Sequence, residues 1–252
     1  MKNLFIVGAQ RSGSTYLYRL LNEHPQVMMA QPVKPEPKFF LDEQLSGKGR
    51  DFYEATYFSD CPPGTLYCGE KSSSYIESPS AAERIRGLYP DARILMILRN
   101  PVERAWSNYR FSVFHGLESM SFESALAAEQ RRLSHATFST SVNPYAYRLR
   151  GQYMDYINGY LTLFDSAQLD ILIFEEIVGN LANAQKLYRW LGINDDVTPS
   201  SLNEVVNPGN KNVAAPPAAL KDLAQSYLHS MEQLENYLGR PIDAWRKYGE
   251  SL

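Results

Sequence analysis

Residues 8–15, Gly-Ala-Gln-Arg-Ser-Gly-Ser-Thr, have the composition of an anion-binding loop. The apolar run at 5–7 precedes them, and a segment with helical periodicity follows. Backbone N–H groups in such a turn point inward, and the positive end of the following helix adds to their field. The segment therefore predicts a site for an anion of phosphate size, with a nucleotide as the first expectation.

The position of the cation in this loop argues against ATP or GTP. A Walker loop has Lys directly after its second glycine, where it reaches the β- and γ-phosphates, but Ser14 occupies that position here. The basic residue is instead Arg11, inside the loop, which suits the 5′ end of a shorter phosphate chain. The buried-strand pattern at 92–98 is followed by Arg99, where an NTPase has a magnesium-binding Asp. We therefore expect a second anion there and no metal.

Arg99 is the first of two residues that could bind this second anion. It leaves the end of a strand, Pro101 begins a helix, and Ser107 lies about two turns into that helix. An arginine fork and a hydroxyl could thus converge on one phosphate. The alternative is that Arg99 forms a structural ion pair and Ser107 is an ordinary helix serine.

The elements that would position these residues alternate along the chain. Strands are predicted at 5–7, 93–98 and 169–174, and helices at 15–22, 80–89, 101–111, 122–131 and 151–164, with a further helix ending at 191. The region from 23 to 57 is predicted to be mostly irregular. The alternation predicts an α/β, P-loop-containing, three-layer fold in which helices flank a central, mainly parallel sheet. Ligands of such sheets bind at the carboxyl ends of the strands.

Composition narrows the class of partner. With 252 residues, 44% hydrophobic content and a net charge of −3, the chain is expected to form a single domain, residues 1–252. This charge favours no nucleic-acid partner. We see no secretory signal and no apolar run long enough to span a bilayer, so we expect a cytoplasmic protein without a membrane partner. Cys61 and Cys68 are expected to be reduced thiols.

Together the two anion-binding motifs resemble those of the sulfotransferases that use 3′-phosphoadenosine 5′-phosphosulfate (PAPS), especially heparan-type and bacterial members. The loop at 8–15 is similar to the family's 5′-phosphosulfate loop, and Leu-Arg-Asn-Pro-Val-Glu-Arg-Ala-Trp-Ser at 98–107 is similar to its 3′-phosphate motif. The resemblance implies PAPS as donor, 3′-phosphoadenosine 5′-phosphate (PAP) as product, and no metal. It assigns donor binding to Gln10, Arg11, Ser12, Gly13, Ser14, Thr15, Arg99 and Ser107.

Two more segments resemble segments of the family that contain its catalytic residues. Glu-Pro-Lys-Phe-Phe at 36–40 resembles the stretch with the acceptor-activating glutamate, which makes Glu36 the candidate base. Gly-Glu-Lys-Ser-Ser-Ser-Tyr at 69–75 resembles the segment whose lysine faces the transferring group, which makes Lys71 a candidate acid. The alternative for both residues is a solvated surface charge.

Three further assignments rest on the same resemblance. Leu-Arg-Gly-Gln-Tyr, which ends at Tyr153, resembles an Arg-Gly-x-Tyr motif and assigns Tyr153 to donor binding, although it could equally be a core residue. The turn-rich run at 206–212 corresponds to a loop over the 3′-phosphate, with Lys211 and Asn212 as donor-binding candidates. His115 is a candidate auxiliary base, although a lone histidine is more often structural or exposed.

The resemblance implies in-line transfer of a sulfuryl group to a hydroxyl or amine. Glu36 would take the acceptor's proton, while Arg11 and Lys71 would stabilise charge on the leaving 5′-phosphate oxygen. A sulfuryl group carries less charge than a phosphoryl group, so cations and loop amides can act without bridging magnesium. The absence of an overall basic charge favours a small molecule, as in secondary metabolism, over a glycosaminoglycan, and a sugar acceptor stays open.

Two alternatives to catalysis of sulfuryl transfer remain at this stage. A P-loop nucleotide or small-molecule kinase shares the strand, loop and helix but needs a phosphate-reaching Lys and a metal site. A non-catalytic domain could retain the nucleotide site without transferring anything. The sequence does not determine the acceptor, the choice between O- and N-sulfation, or the oligomeric state.

Overall fold

The structure, a computed structural model, describes residues 1–135, 143–204 and 215–250. The chain divides into two compact units. Unit 1 comprises Met1–Leu98 and Asn158–Val206, and unit 2 comprises Arg99–Ile157 and Asn207–Leu252.

Unit 1 is built on a five-stranded parallel sheet with the strand order β2-β3-β1-β4-β5. The strands are β1 (Lys2–Gly8), β2 (Val27–Met29), β3 (Tyr67–Lys71), β4 (Arg93–Leu98) and β5 (Leu169–Ile173). β1, the central strand, and its neighbour β4 are buried along almost their whole length. Their continuous apolar sequences reflect burial on both faces of the sheet. The predicted α/β fold with a parallel sheet is confirmed.

Helices account for most of the remaining described residues. In chain order they are α1 (Ser14–Asn22), α2 (Glu43–Ser46), α3 (Gly49–Tyr57), α4 (Pro79–Leu88), α5 (Pro101–Phe114), α6 (Phe122–His135), α7 (Tyr153–Leu161), α8 (Phe174–Ile177), α9 (Leu181–Leu191), α10 (Pro217–Leu238) and α11 (Asp243–Glu250). Short 3₁₀ helices span Phe39–Leu41, Tyr75–Glu77, Leu149–Gly151, Ser166–Gln168 and Ser200–Asn203.

The sheet of unit 1 is covered on both faces because successive side chains of a strand point to opposite sides. On one face, Ile6 of β1 belongs to a buried cluster with Leu17 of α1 and Leu187 of α9. On the other face, Phe5 of β1 packs edge-on against Phe40, with ring centroids 5.4 Å apart, in a cluster of buried aromatic rings. Unit 1 therefore has the three layers that the sequence predicts.

The prediction of a mostly irregular region at 23–57 is wrong. This region contains β2, α2, α3 and the 3₁₀ helix at Phe39–Leu41. The strand β3 was also not predicted, because its sequence, Tyr-Cys-Gly-Glu-Lys, lacks an apolar pattern. All five of its residues are nevertheless buried. Pairing with β1 and β2, both distant in sequence, makes this segment a strand.

Unit 2 is helical around a second core. Ala105 of α5, Phe122 of α6 and Leu223 of α10 belong to one buried cluster. Gly151 lies so close to α10 that an added Cβ would be 2.6 Å from the ring of Tyr227. Two predicted helices end later than expected, α5 at Phe114 and α6 at His135, and the sequence reading did not include α10 or α11.

Two further observations concern the described part of the chain. None of its helices combines the length and the apolar character needed to cross a membrane. Both cysteines, Cys61 and Cys68, are free thiols.

Candidate active site

The glycine-rich loop joins β1 to α1 at the carboxyl edge of the sheet in unit 1. The Ala9 N–H donates to the carbonyl of Ile97 in β4 at 2.8 Å, which ties the loop to the neighbouring strand. Arg11 and Gly13 both have left-handed backbone conformations, with φ of 65° and 92°. Left-handed residues within a turn are typical of the concave arrays of N–H groups that bind anions. The strand, loop and helix predicted from the sequence are therefore present.

Gly13 occupies a position that only glycine tolerates well. Its left-handed φ is unfavourable for residues with a Cβ, and a Cβ would lie 2.3 Å from Cδ2 of Phe174. Gly13 is also the N-cap of α1, where it provides no side-chain hydrogen bond to the first N–H groups of the helix. This end of α1 is suited to an anionic ligand as cap.

The hydroxyl of Ser12 is an independent sign of a ligand in this loop. Ser12 is fully buried, and within the described residues its Oγ has no hydrogen-bond partner. An unsatisfied buried hydroxyl costs about 1–3 kcal/mol, so an oxygen atom of a bound ligand would be stabilising here. Ser14 is buried beside it, whereas Arg11 and Thr15 are partly exposed. These loop residues fit a phosphosulfate.

Glu36 and Lys71 form an ion pair in unit 1. Lys71 Nζ lies 2.8 Å from Glu36 Oε1, and their side chains are 3% and 15% exposed for Lys71 and Glu36. Ser73 also donates to this carboxylate, from its hydroxyl to Oε1 at 2.9 Å and from its N–H to Oε2 at 3.1 Å. Neither residue is a solvated surface charge, which was the alternative for both.

This ion pair is at the same edge of the sheet as the loop. Lys71 is the last residue of β3 and lies in register with Ile6 of β1, just before β1 enters the loop. Gln10 of the loop donates from Nε2 to the hydroxyl of Ser74 at 3.0 Å, which joins the loop to the segment after β3. Unit 1 therefore brings three sequence motifs together: residues 8–15, 36–40 and 69–75.

In unit 2, Arg99 lies just before α5, and Ser107 lies within the first two turns of that helix. Arg99 donates from Nε and Nη2 to Glu103 Oε2, at 3.1 and 2.5 Å. The structural ion pair considered as an alternative is thus present, but both partners are partly exposed, at 26% and 33%. Such pairs contribute only about 0–1 kcal/mol, so a phosphate can compete for the guanidinium. Ser107 is buried on the same helix.

Tyr153 is buried and donates from its hydroxyl to the carbonyl of Arg99 at 2.7 Å. Tyr153 therefore fixes the backbone of Arg99, which is assigned to the 3′-phosphate. A contact of Tyr153 itself with the donor stays a prediction.

His115 follows the last residue of α5 and is exposed, with its ring centroid 4.2 Å from that of Phe111. Lys211 and Asn212 lie outside the described residues.

Two residues of this region were missed in the sequence. Ser73 holds Glu36, and Glu70 is a fully buried carboxylate next to Lys71. The signal for both was the polar run Glu-Lys-Ser-Ser-Ser, which is unusual at the end of a buried strand. No group of three or more His, Cys, Asp or Glu side chains in the described ranges is arranged to hold a metal ion.

A parallel sheet with a phosphate-type loop after its first strand defines the class of P-loop α/β proteins, and comparison with known proteins narrows the class. The family model described as "Sulfotransferase domain" matches residues 1–212. The chain belongs to the sulfotransferase family. The resemblance predicted from the motifs is confirmed, and the kinase alternative gains no support.

Curated relatives include heparan sulfate-modifying enzymes. The chain is 29% identical over 202 residues to "Bifunctional heparan sulfate N-deacetylase/N-sulfotransferase 1" of Caenorhabditis briggsae, which covers 77% of this chain and 23% of that protein. It is 28% identical over 200 residues to the human type 2 protein of the same description, covering 77% and 22%. The chain thus spans less than a quarter of the length of these relatives.

Solved structures agree on the fold. A sulfotransferase from Alicyclobacillus acidocaldarius superimposes with a TM-score of 0.80 and 29% identity, covering 98% of this chain and 99% of that chain. Mouse sulfotransferase SULT7A1, complexed with PAP, has a TM-score of 0.57 and 13% identity, covering 92% and 85%. At that identity the mouse protein is evidence for the fold alone.

Proposed function

We propose that the protein transfers a sulfuryl group from PAPS to a hydroxyl or amine of a small-molecule or carbohydrate acceptor and releases PAP. Membership of the sulfotransferase family supports the reaction class. The observation that carries the proposal is the Glu36–Lys71 pair, with its almost fully buried lysine, at the same sheet edge as the glycine-rich loop. This arrangement supports the roles proposed for Glu36 as proton acceptor and for Lys71 as a cation beside the loop.

The donor would be bound by residues of both motifs. Residues 10–15 would hold the 5′-phosphosulfate through loop N–H groups, the Ser12 hydroxyl and the Arg11 guanidinium. Arg99 and Ser107 would hold the 3′-phosphate, with Tyr153 fixing the Arg99 backbone. Lys211 and Asn212 remain part of this proposed donor site. Bound PAPS supplies the activated sulfuryl group.

Glu36 has the hydrogen-bonding capacity that a base needs. A carboxylate has about four acceptor positions on its two oxygens. Lys71 and the Ser73 hydroxyl occupy two positions on Oε1, and the Ser73 N–H occupies one on Oε2. Within the described residues, one position on Oε2 is left for the proton of an acceptor hydroxyl or amine.

The proposed transfer is a single displacement. The acceptor oxygen or nitrogen bonds to sulfur while the bond from sulfur to the 5′-phosphate oxygen breaks, and that oxygen keeps the electron pair. The proton of the acceptor goes to Glu36. Arg11 and Lys71 offset the negative charge on the leaving oxygen. His115 is retained as a proposed auxiliary base.

Two observations bear on the class of acceptor, and each favours one of the two kinds that we propose. The names of the curated relatives include heparan sulfate, which favours a sugar acceptor. The net charge of −3 provides no general surface for a long polyanion, which favours a small molecule. We further propose that residues 1–252 act as one sulfotransferase domain in the cytoplasm, without a nucleic-acid or membrane partner.

The first test is calorimetric titration with PAP, beside ATP with magnesium. We expect PAP to bind selectively and Arg99→Ala to weaken it by at least about tenfold, since the side chain removed makes charge-assisted hydrogen bonds. Arg189→Ala is the matched control, because it removes another arginine that pairs with a carboxylate, Asp195, at 2.6 Å. A preference for ATP, or no binding of either nucleotide, would refute the proposal.

A further inference from the structure

Glu70 is a buried carboxylate that the proposed transfer does not use. It lies in β3 with no exposed surface. Its Oε2 accepts a hydrogen bond from the Tyr53 hydroxyl and its Oε1 accepts one from the Ser72 hydroxyl, both at 2.6 Å. The Tyr75 hydroxyl interacts electrostatically with the same carboxylate. Burial raises the pKa of the Glu70 carboxyl, and these three hydroxyls counteract the rise.

Two of these hydroxyls connect Glu70 to the segment that follows Glu36. The Ser72 oxygen accepts the N–H of Lys38 at 2.9 Å, and the Tyr75 oxygen accepts the N–H of Phe40 at 3.0 Å. Because the Ser72 oxygen already accepts a backbone N–H, its own proton is directed to the carboxylate of Glu70. Glu70 thus fixes the direction of the Ser72 hydroxyl and acts on the Tyr75 hydroxyl through its charge.

The segment held in this way needs external hydrogen bonds. Lys38 has a left-handed backbone with a φ of 53°, although it is not a glycine. That conformation costs a residue with a Cβ about 1–2 kcal/mol and persists only where the surroundings enforce it. The hydrogen bond from Lys38 N–H to Ser72 is a contact from outside the turn that stabilises it, two residues after Glu36.

We infer that Glu70 is a positioning residue for the proposed base. It orients the hydroxyls of Ser72 and Tyr75, these hold the backbone at Lys38 and Phe40, and the turn so formed places Glu36. The inference rests on the proposed function of Glu36. It assigns a role to a carboxylate that touches neither donor nor acceptor.

Tyr53 provides a matched control for this role. Like Tyr75, it is fully buried, and it donates its hydroxyl to Glu70 at 2.6 Å. In the described part of the chain, however, the only hydrogen bond of its hydroxyl is to Glu70. A change of Tyr53 to Phe therefore removes a donor to the same carboxylate without removing a contact to the turn after Glu36.

The kinetic test compares Tyr75→Phe and Ser72→Ala with Tyr53→Phe. We expect the first two to lower kcat by about tenfold or more, because a misplaced base loses part of its contribution of about 10²- to 10⁴-fold. Their affinity for PAP should stay within about twofold of the wild-type value, because the donor-binding loop is not changed. Tyr53→Phe should keep nearly normal kcat.

Amide hydrogen exchange, measured by NMR, tests the positioning without activity. We expect faster exchange of the Phe40 amide in Tyr75→Phe, of the Lys38 amide in Ser72→Ala, and of at least one of the two in Glu70→Gln. Both amides should stay protected in Tyr53→Phe. Unchanged exchange and turnover in Tyr75→Phe and Ser72→Ala, or equal losses in Tyr53→Phe, would overturn the inference. A wild-type protein that transfers no sulfuryl group from PAPS would instead refute the proposed function.

Discussion

Glu36 and Lys71 are oppositely charged side chains in direct contact, and this contact bears on the role of the lysine. The lysine is almost fully buried, and its 2.8 Å contact with Glu36 supplies the compensating charge that burial requires. Lys71 therefore places a positive charge at the carboxyl edge of the sheet, beside the loop that we propose binds an anion. Its proposed role is to stabilise charge as an ammonium group, a more specific role than that of a candidate acid.

Glu36→Gln tests the base at the scale of a single residue. We expect kcat to fall by about 10²- to 10⁴-fold, the usual contribution of a positioned base, while PAP binding is retained. Steady-state formation of PAP from PAPS, with the acceptor in excess, measures the effect. Glu54→Gln is the control, because Glu54 is also paired with a cation, Arg50, at 2.8 Å. Near-normal turnover of Glu36→Gln would assign proton removal to another group.

At the scale of elements, the functional loop depends on the packing of helices around it. Gly13 is the N-cap of α1 and lies against Phe174, the first residue of α8. The loop is therefore confined by β4 through Ala9 and by α8 through Gly13. A loop confined in this way presents its N–H groups to a ligand at little further entropic cost.

Gly13→Ala tests this confinement. We expect a loss of about 2–4 kcal/mol in the free energy of unfolding, because the new methyl group combines left-handed strain with a collision against the partly buried ring of Phe174. Gly49→Ala is the control: its φ is also positive, at 80°, but a Cβ would meet nothing within 4 Å. It should lose only about 1 kcal/mol. Urea unfolding of both variants gives the comparison, and equal losses would show that the contact with Phe174 is unimportant.

At the scale of the whole molecule, the stability of the fold is coupled to pH through a partly buried carboxyl in the sheet. Asp170 lies in β5, in register with Leu95 of β4. Burial raises the pKa of Asp170 from 3.8 to about 6. Below pH 3.8 the carboxyl is neutral in both states, and above about pH 6 the folded state must hold its charge. Stability should therefore decrease as the pH rises through this range.

Asp170→Asn should remove this decrease. A pKa shift of this size corresponds to at most about 3 kcal/mol in the free energy of unfolding. The stability advantage of the variant over the wild type should therefore grow up to that amount between about pH 4 and pH 6 and stay constant above about pH 6. Thermal or urea unfolding across this pH range measures the difference. Asp60→Asn, at an exposed position, controls for the change of charge. A difference between Asp170→Asn and the wild type that does not vary with pH would contradict the burial argument.

Local patterns in the sequence were sufficient to predict much of the structure of this molecule. The loop at 8–15 and the arginine-proline start of α5 depend on residues adjacent in the chain, because turn glycines and helix starts are determined by neighbours. The strands β1, β4 and β5 are apolar enough to be recognised as buried. These features were enough to predict the fold class and the sulfotransferase family.

Contacts between distant segments decided what the sequence could not. The polar strand β3 is a strand because of its neighbours β1 and β2. Glu36 contacts Lys71, which is distant in sequence, in a way that composition does not reveal. The hydroxyls of Ser72 and Tyr75 accept hydrogen bonds from the turn after Glu36, and each bond joins residues more than 30 positions apart. Charge pairing and buried hydrogen bonds depend on distance in space, and only the folded chain determines that distance.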